Sequence, residues 1–189
     1  MSDSRPIRVL HICYPLIRAG IETWLLHVLK QLDQDSFQFD IAVHSLGHPL
    51  EPEYEAAGAR ILKIPRADHI LAHIVGLRRL IRSRGPYDII HSHVHHTGIE
   101  FAICRGATRA ALLAHAHNDE RAFADAPFLQ RIALKISRPW IGKYATAGLA
   151  CSQRAAAAFF GKNWASDGRF QVLHYGIDLQ RFRATPEAR

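Results

Sequence analysis

This sequence predicts a three-layer α/β sandwich built on a mostly parallel sheet of about seven strands. Three observations carry the prediction. Short β-branched runs alternate with longer amphipathic runs from one end of the chain to the other. Glycine and proline stand at many of the junctions between them. The 189 residues are 48% hydrophobic and 22% charged, which suits one domain with a substantial core and excludes disordered, collagenous and low-complexity chains.

The elements follow in order. Ile7, Val9, Leu10 and Ile12 mark a first strand over 7–12, and Pro15 and Gly20 a loop. Trp24, Leu25, Val28, Leu29 and Leu32 then fall on one face of a helix over 21–32. Residues 37–44 form a second strand, 51–57 a short helix ended by Gly58, and 60–64 a third strand stopped by Pro65. A basic helix over 69–83 ends near Gly85 and Pro86. The second half repeats the rhythm, with strands over 87–92, 111–115, 148–151 and 170–173 and helices over 98–105, 128–144 and 153–160. Residues 1–180 therefore read as a single Rossmann-like unit, and the polar stretch 181–189 as the start of a linker.

Lys plus Arg number 24 against 17 for Asp plus Glu, and the resulting charge of +7 favours an anionic partner. Cys13, Cys104 and Cys151 are widely spaced among apolar residues, which reads as reduced core thiols and not a disulfide framework. Residues 1–8 are polar and no apolar run approaches the roughly 18 residues of a membrane span. The expectation is a cytoplasmic protein that at most touches the inner face of the plasma membrane.

In open parallel sheets ligands bind beyond the carboxyl ends of the strands, where helix N-termini turn free N–H groups outward. The polar residues expected there are Arg18, Gly20 and Glu22 after the first strand, and His91, His93, His95 and His96 after the fourth. His115, His117, Asn118 and Asp119 follow the fifth, Ser152 the sixth, and Tyr175, Gly176 and Asp178 the seventh. Six of the 13 histidines thus gather at two strand ends. Alternate residues of a strand face one way, so His91 with His93, or His115 with His117, would serve as metal-binding pairs, with Glu100 and Asp119 the nearby carboxylates. One or two of these histidines would instead bind a sugar or phosphate, or move a proton. The others, His91 and His115 above all, are expected to point into the helix-covered faces of the sheet and bond backbone.

The turn Arg18-Ala19-Gly20-Ile21-Glu22 is neither the dinucleotide fingerprint nor a P-loop, which argues against nicotinamide and P-loop chemistry. A glycine ahead of a helix still lets backbone amides approach a phosphate at the helix's positive end. Arg78, Arg79, Arg82 and Arg84 read as a solvated helix end. Arg131, Lys135, Arg138 and Lys143 interleave with Phe128, Ile132, Ile136, Trp140 and Tyr144. Such a helix either packs on the sheet with a basic outer face or lies on an anionic membrane surface. Nucleic-acid motifs are absent, so no nucleic-acid partner is expected.

Taken in order, four stretches resemble the N-terminal half of the family-4 retaining glycosyltransferases of the bacterial capsule and exopolysaccharide type, which have the two-domain GT-B architecture. Arg18-Ala19-Gly20-Ile21-Glu22 is similar to the family's Gly-Gly-x-Glu turn. Tyr87-Asp88-Ile89-Ile90-His91-Ser92-His93 is similar to its D-(I/V)-(I/V)-H-x-H strand. His115-Ala116-His117-Asn118 follows, and then Val172-Leu173-His174-Tyr175-Gly176-Ile177-Asp178 with Phe182, similar to the segment that closes the first domain. Ala19 stands where the family usually has glycine, and Tyr175 where it usually has asparagine.

The resemblance implies transfer of a sugar from a nucleotide-sugar donor, UDP- or GDP-linked, to a hydroxyl of a saccharide or lipid-linked acceptor. Anomeric configuration would be retained, with no metal and no cofactor required. Carried over by position, His117 would be catalytic, hydrogen-bonding the donor sugar or stabilising an oxocarbenium-like transition state through fixed electrostatics. Gly20, Glu22 and Asn118 would lie on the donor side, and His93, His95 and Arg18 on the acceptor side. In the family a second Rossmann domain binds most of the nucleotide. The chain stops at Arg189, where the linker to that domain would begin, so it is expected to be inactive alone. Apolar surface left free for the second domain would favour a homodimer. Two other readings use the same residues: a non-catalytic acceptor-binding module paired with a separate donor-domain chain, and a metal-dependent hydrolase built on the H-x-H pairs.

Overall fold

In the computed structural model, which describes residues 5–119 and 128–176, the first half of the chain runs β1 (Ile7–Ile12), α1 (Gly20–Gln31), β2 (Phe37–Val43), α2 (Glu51–Ala56), β3 (Arg60–Lys63) and α3 (Ile70–Arg84). The second runs β4 (Ile89–Ser92), α4 (Thr97–Cys104), β5 (Ala111–Ala116), α5 (Phe128–Tyr144), β6 (Ala147–Ala150), α6 (Gln153–Phe160) and β7 (Phe170–Val172). The seven strands form one sheet in the order β3-β2-β1-β4-β5-β6-β7. It is wholly parallel where the sequence suggested mostly parallel. Each expected element is present, its ends displaced by at most a residue or two. β4 starts two residues late, at Ile89; ahead of it the Tyr87 hydroxyl donates to Asp40, and the Asp88 carboxylate takes the side chain of Arg5 and the N–H of Arg8.

Alternation along β1 feeds two cores. Val9 and Cys13 join Leu25, Leu29, Phe39, Ile41 and Tyr54 beneath α1 and α2. Leu10 and Ile12 join Leu77, Ile90, Phe101 and Ile141 beneath α3, α4 and α5. Gly58, which ends α2 as expected, has φ +80°. α4 and α5 approach closely at Gly98, whose N–H donates to Ser137 Oγ at 2.9 Å and where a Cβ would stand 1.9 Å from the Ser137 carbonyl oxygen.

α5 turns Ser137 and Ile141 inward, while Phe128, Ile132, Ile136 and Trp140 stay exposed with the basic residues. Its outer face is therefore apolar as well as basic. The cysteines are free thiols, Cys13 and Cys104 buried and Cys151 half-buried, and burial pushes the Cys104 thiol well up. No helix among the described residues is long and apolar enough to cross a membrane. The expected linker at 181–189, and Asp178 and Phe182 of the closing segment, lie outside the described residues.

Candidate active site

The strand order reverses direction between β1 and β4, the place where a parallel sheet opens a crevice beyond its strand ends. The register sets His11 beside His91 there. On the α1 side of the sheet, β1, β4 and β5 present His11, His91 and His115, joined by His93 just past β4 and His117 just past β5. Ring centroids of neighbouring pairs lie as close as 4.1 Å for His91 and His93 and 4.2 Å for His115 and His117.

Within this patch three imidazoles join head to tail. His11 Nδ1 meets His93 Nε2 at 3.0 Å, His93 Nδ1 meets His117 Nε2 at 2.9 Å, and His117 Nδ1 meets the Tyr175 hydroxyl. A neutral imidazole carries one N–H and one lone pair, which is what each ring in such a chain needs; an imidazolium, with two donors and no acceptor, would break it. Burial acts the same way. It depresses His11 to about 3, His115 to about 4 and His117 to about 2, and holds His91 and His93 well below the ordinary histidine range, with the charges of neighbouring histidines adding to the effect on all but His115. Trp24 of α1 roofs the patch, edge-on to His115 at 5.1 Å and stacked on Tyr175 at 4.8 Å.

His91 and His115 are buried as expected, but they bond each other at 3.2 Å, not the backbone. His115 Nε2 is left buried without a hydrogen-bond partner among the described residues. The expected convergence of H-x-H nitrogens occurs: His11, His91 and His93, and again His93, His115 and His117, bring ring nitrogens within 4.8 Å of one another. Neither group includes a carboxylate. Glu100, expected near these pairs, lies in α4 on the opposite face of the sheet against His73 and His96.

The remaining candidates are spread around the patch. Glu22, in the first turn of α1, is buried, its carboxyl pushed up by burial, and its backbone carbonyl accepts the Tyr54 hydroxyl at 2.7 Å. Gly20 begins α1 and is exposed, and a Cβ there would meet nothing within 4 Å. His95 is half-buried, its N–H donating to the Tyr14 hydroxyl at 3.1 Å, and its imidazole is depressed to about 4 by burial. Asn118 is exposed beyond His117. Arg18, expected on the acceptor side, is ion-paired with Glu53 of α2 at 2.9 Å and takes no part in the histidine chain. Ser152 caps α6, its Oγ accepting the Ala155 N–H at 3.1 Å. His93 is 2% exposed and engaged on both sides, so it holds His117 in place and has no free edge for an acceptor. Sequence reasoning did not single out His11 or Trp24 as site residues. His11 reads as one more strand residue until β1 is known to lie beside β4, and Trp24 as one more apolar residue on a helix face.

The profile of Glycosyltransferase Family 4 matches residues 18–181. Over 98% of its length the chain is 27% identical to the "Putative glycosyltransferase EpsF" of Bacillus subtilis (strain 168), of which it covers 49%. Among solved structures its fold is similar to that of Anabaena HepE in complex with UDP, with TM-score 0.73 and 14% identity over 96% of this chain and 47% of that one. It is also similar to a glycosyltransferase from Rickettsia africae ESF-5, with TM-score 0.65 and 17% identity over 97% of this chain and 48% of that one. The chain thus spans about half the length of these proteins. With the family profile running from the turn before α1 to beyond β7, the chain belongs to glycosyltransferase family 4.

Proposed function

We propose that this chain is the N-terminal, acceptor-side domain of a retaining glycosyltransferase that moves a sugar from a nucleotide-sugar donor to a hydroxyl acceptor in polysaccharide or glycolipid synthesis. In this reading a second, donor-binding domain completes the catalyst. The observation that carries it is the histidine chain that starts from His11 and His93, where the strand order reverses, and runs out to His117 and Tyr175. HepE has been solved with UDP and with UDP-glucose, which favours a UDP-sugar here.

Both ring nitrogens of His117 are engaged within the protein, so a donor-sugar hydroxyl reaches this ring by replacing the Tyr175 hydroxyl at Nδ1. His93 and His11 behind it keep the ring oriented and neutral, and it acts as a fixed dipole on developing charge. The donor diphosphate lies against the start of α1, where Gly20 leaves the backbone open. The exposed apolar residues of α5, with basic neighbours Arg131 and Lys135, seat the domain on the anionic cytoplasmic leaflet, where a lipid-linked acceptor would be held.

The test is steady-state kinetics on the full-length protein. His117→Ala is expected to lower kcat roughly 100- to 1,000-fold while the acceptor KM moves little. Unchanged turnover would remove His117 from the chemistry.

A further inference from the structure

We propose that His73, His96 and Glu100 form a zinc site that ties α3 to α4 on the face of the sheet opposite the histidine chain. It does not rest on the glycosyltransferase reading. The three side chains come from the first turn of α3, the residue before α4 and the first turn of α4. One ligand atom from each lies within 4.8 Å of the others. The side chains of His73 and Glu100 are fully buried, and that of His96 is 18% exposed. Two imidazoles and a carboxylate are a set that zinc takes at about 2.0–2.2 Å, with a fourth position for solvent.

Unmatched atoms argue for a cation. His73 Nε2 meets Glu100 Oε1 at 2.8 Å, and His96 Nε2 stands at ion-pair distance, 2.9 Å, from the same oxygen. His96 Nε2 and Glu100 Oε2 are both buried with no hydrogen-bond partner among the described residues. A carboxylate oxygen left without a partner out of water is costly, and a divalent cation held among the three side chains satisfies it while taking the two imidazole nitrogens as ligands.

The support around them is what a metal-binding histidine requires. His73 Nδ1 bonds the Pro65 carbonyl oxygen at 2.6 Å, which fixes the ring and turns Nε2 inward. α3 can sit that close because residue 76 is glycine: a Cβ there would fall 2.4 Å from the Pro65 ring. Tetrahedral ligands at zinc bond lengths stand roughly 3.3–3.5 Å apart. The ion enters when Oε1 withdraws from the two nitrogens by about half an ångström, a side-chain movement. Once bound, it fixes the segment between β4 and α4, which carries His93 and His95, against α3.

The full-length protein, purified without chelator and titrated with zinc alone, is expected to bind one equivalent at this site and to gain about 5 °C or more in Tm at saturation. Cobalt in its place should show the intense visible absorption of a tetrahedral ion. Glu100→Gln and His96→Ala should each lose the equivalent and the Tm gain, while His115→Ala keeps both. His96, the least buried of the three, is the position whose variant tests ligation without emptying the core, and an unchanged circular dichroism spectrum certifies its fold. Absence of zinc binding at micromolar concentration would leave a buried His73 and Glu100 pair and overturn the site. So would an equivalent that survives both ligand variants, or one that only His115→Ala removes.

Discussion

Asp88 opens the D-x-x-H-x-H stretch, and its carboxylate takes two nitrogens of Arg5 at 2.7 Å and the N–H of Arg8 at 2.9 Å. The Arg5 guanidinium holds its carboxyl down to about 2, so it serves as a clamp on the entry to β1 and not as an acid or base. Gly20 is the opposite kind of motif residue, since nothing in the fold needs its missing side chain. Gly20→Ala is therefore expected to leave Tm within about 2 °C, its stability cost staying near half a kcal/mol. Donor KM of the full-length enzyme should rise roughly 10- to 100-fold. An unchanged KM would take the diphosphate away from α1. At this scale the sequence made His93 and His117 visible through their spacing, and the two do meet at 2.9 Å. His11 stayed hidden because its partner lies 82 residues away and only the strand order joins them.

Element boundaries were legible because glycine, proline and the switch of hydrophobic period are local signals. Which way α5 faces was not. Its apolar and basic residues recur at the same helical spacing, so periodicity alone offers two inner faces, and a serine decides between them. Ser137 is the residue that α4 approaches, through Gly98. A methyl group at Gly98 would press on a backbone carbonyl, which cannot swing aside as a side chain can. Gly98→Ala should therefore cost about 1–3 kcal/mol, read as a Tm lower by roughly 3–10 °C in thermal unfolding. A wild-type Tm would mean that α4 and α5 are free to part.

For the molecule as a whole, the buried histidines dictate how stability responds to acid. His11, His91, His93, His115 and His117 all hold protons more weakly in the fold than in the unfolded chain, through burial first and, for all but His115, through the charges of other histidines. Below pH of about 6.5 the unfolded chain takes up protons that the folded chain refuses. Their contribution is thus complete above that pH and is lost as the pH falls toward about 3 to 4, the folded values of His11 and His115. Thermal unfolding should show Tm dropping steadily from pH 7 to pH 5; a flat profile would mean that the rings are solvated. α4 separates α3 from α5 on one face, so exposed Leu71 and Val75 lie on the same side of the molecule as Phe128, Ile132, Ile136 and Trp140. Vesicles of anionic phospholipid should sediment the protein and neutral ones much less, and Ile132→Asp with Ile136→Asp should weaken the binding at least about tenfold. Equal binding to both vesicles would dismiss the membrane seat.

The histidine chain has two internal orderings that differ only in where its protons sit. With Tyr175 donating to His117 Nδ1, each ring passes its own N–H inward to the next, and the run ends on His11. Reversed, every N–H points outward, and His117 offers a proton at the edge where it had offered a lone pair. No heavy atom moves between the two. Whatever meets Nδ1 of His117 therefore selects a tautomer for all three rings at once, and a hydroxyl or a developing negative charge at the strand ends is registered at His11 in the middle of the sheet.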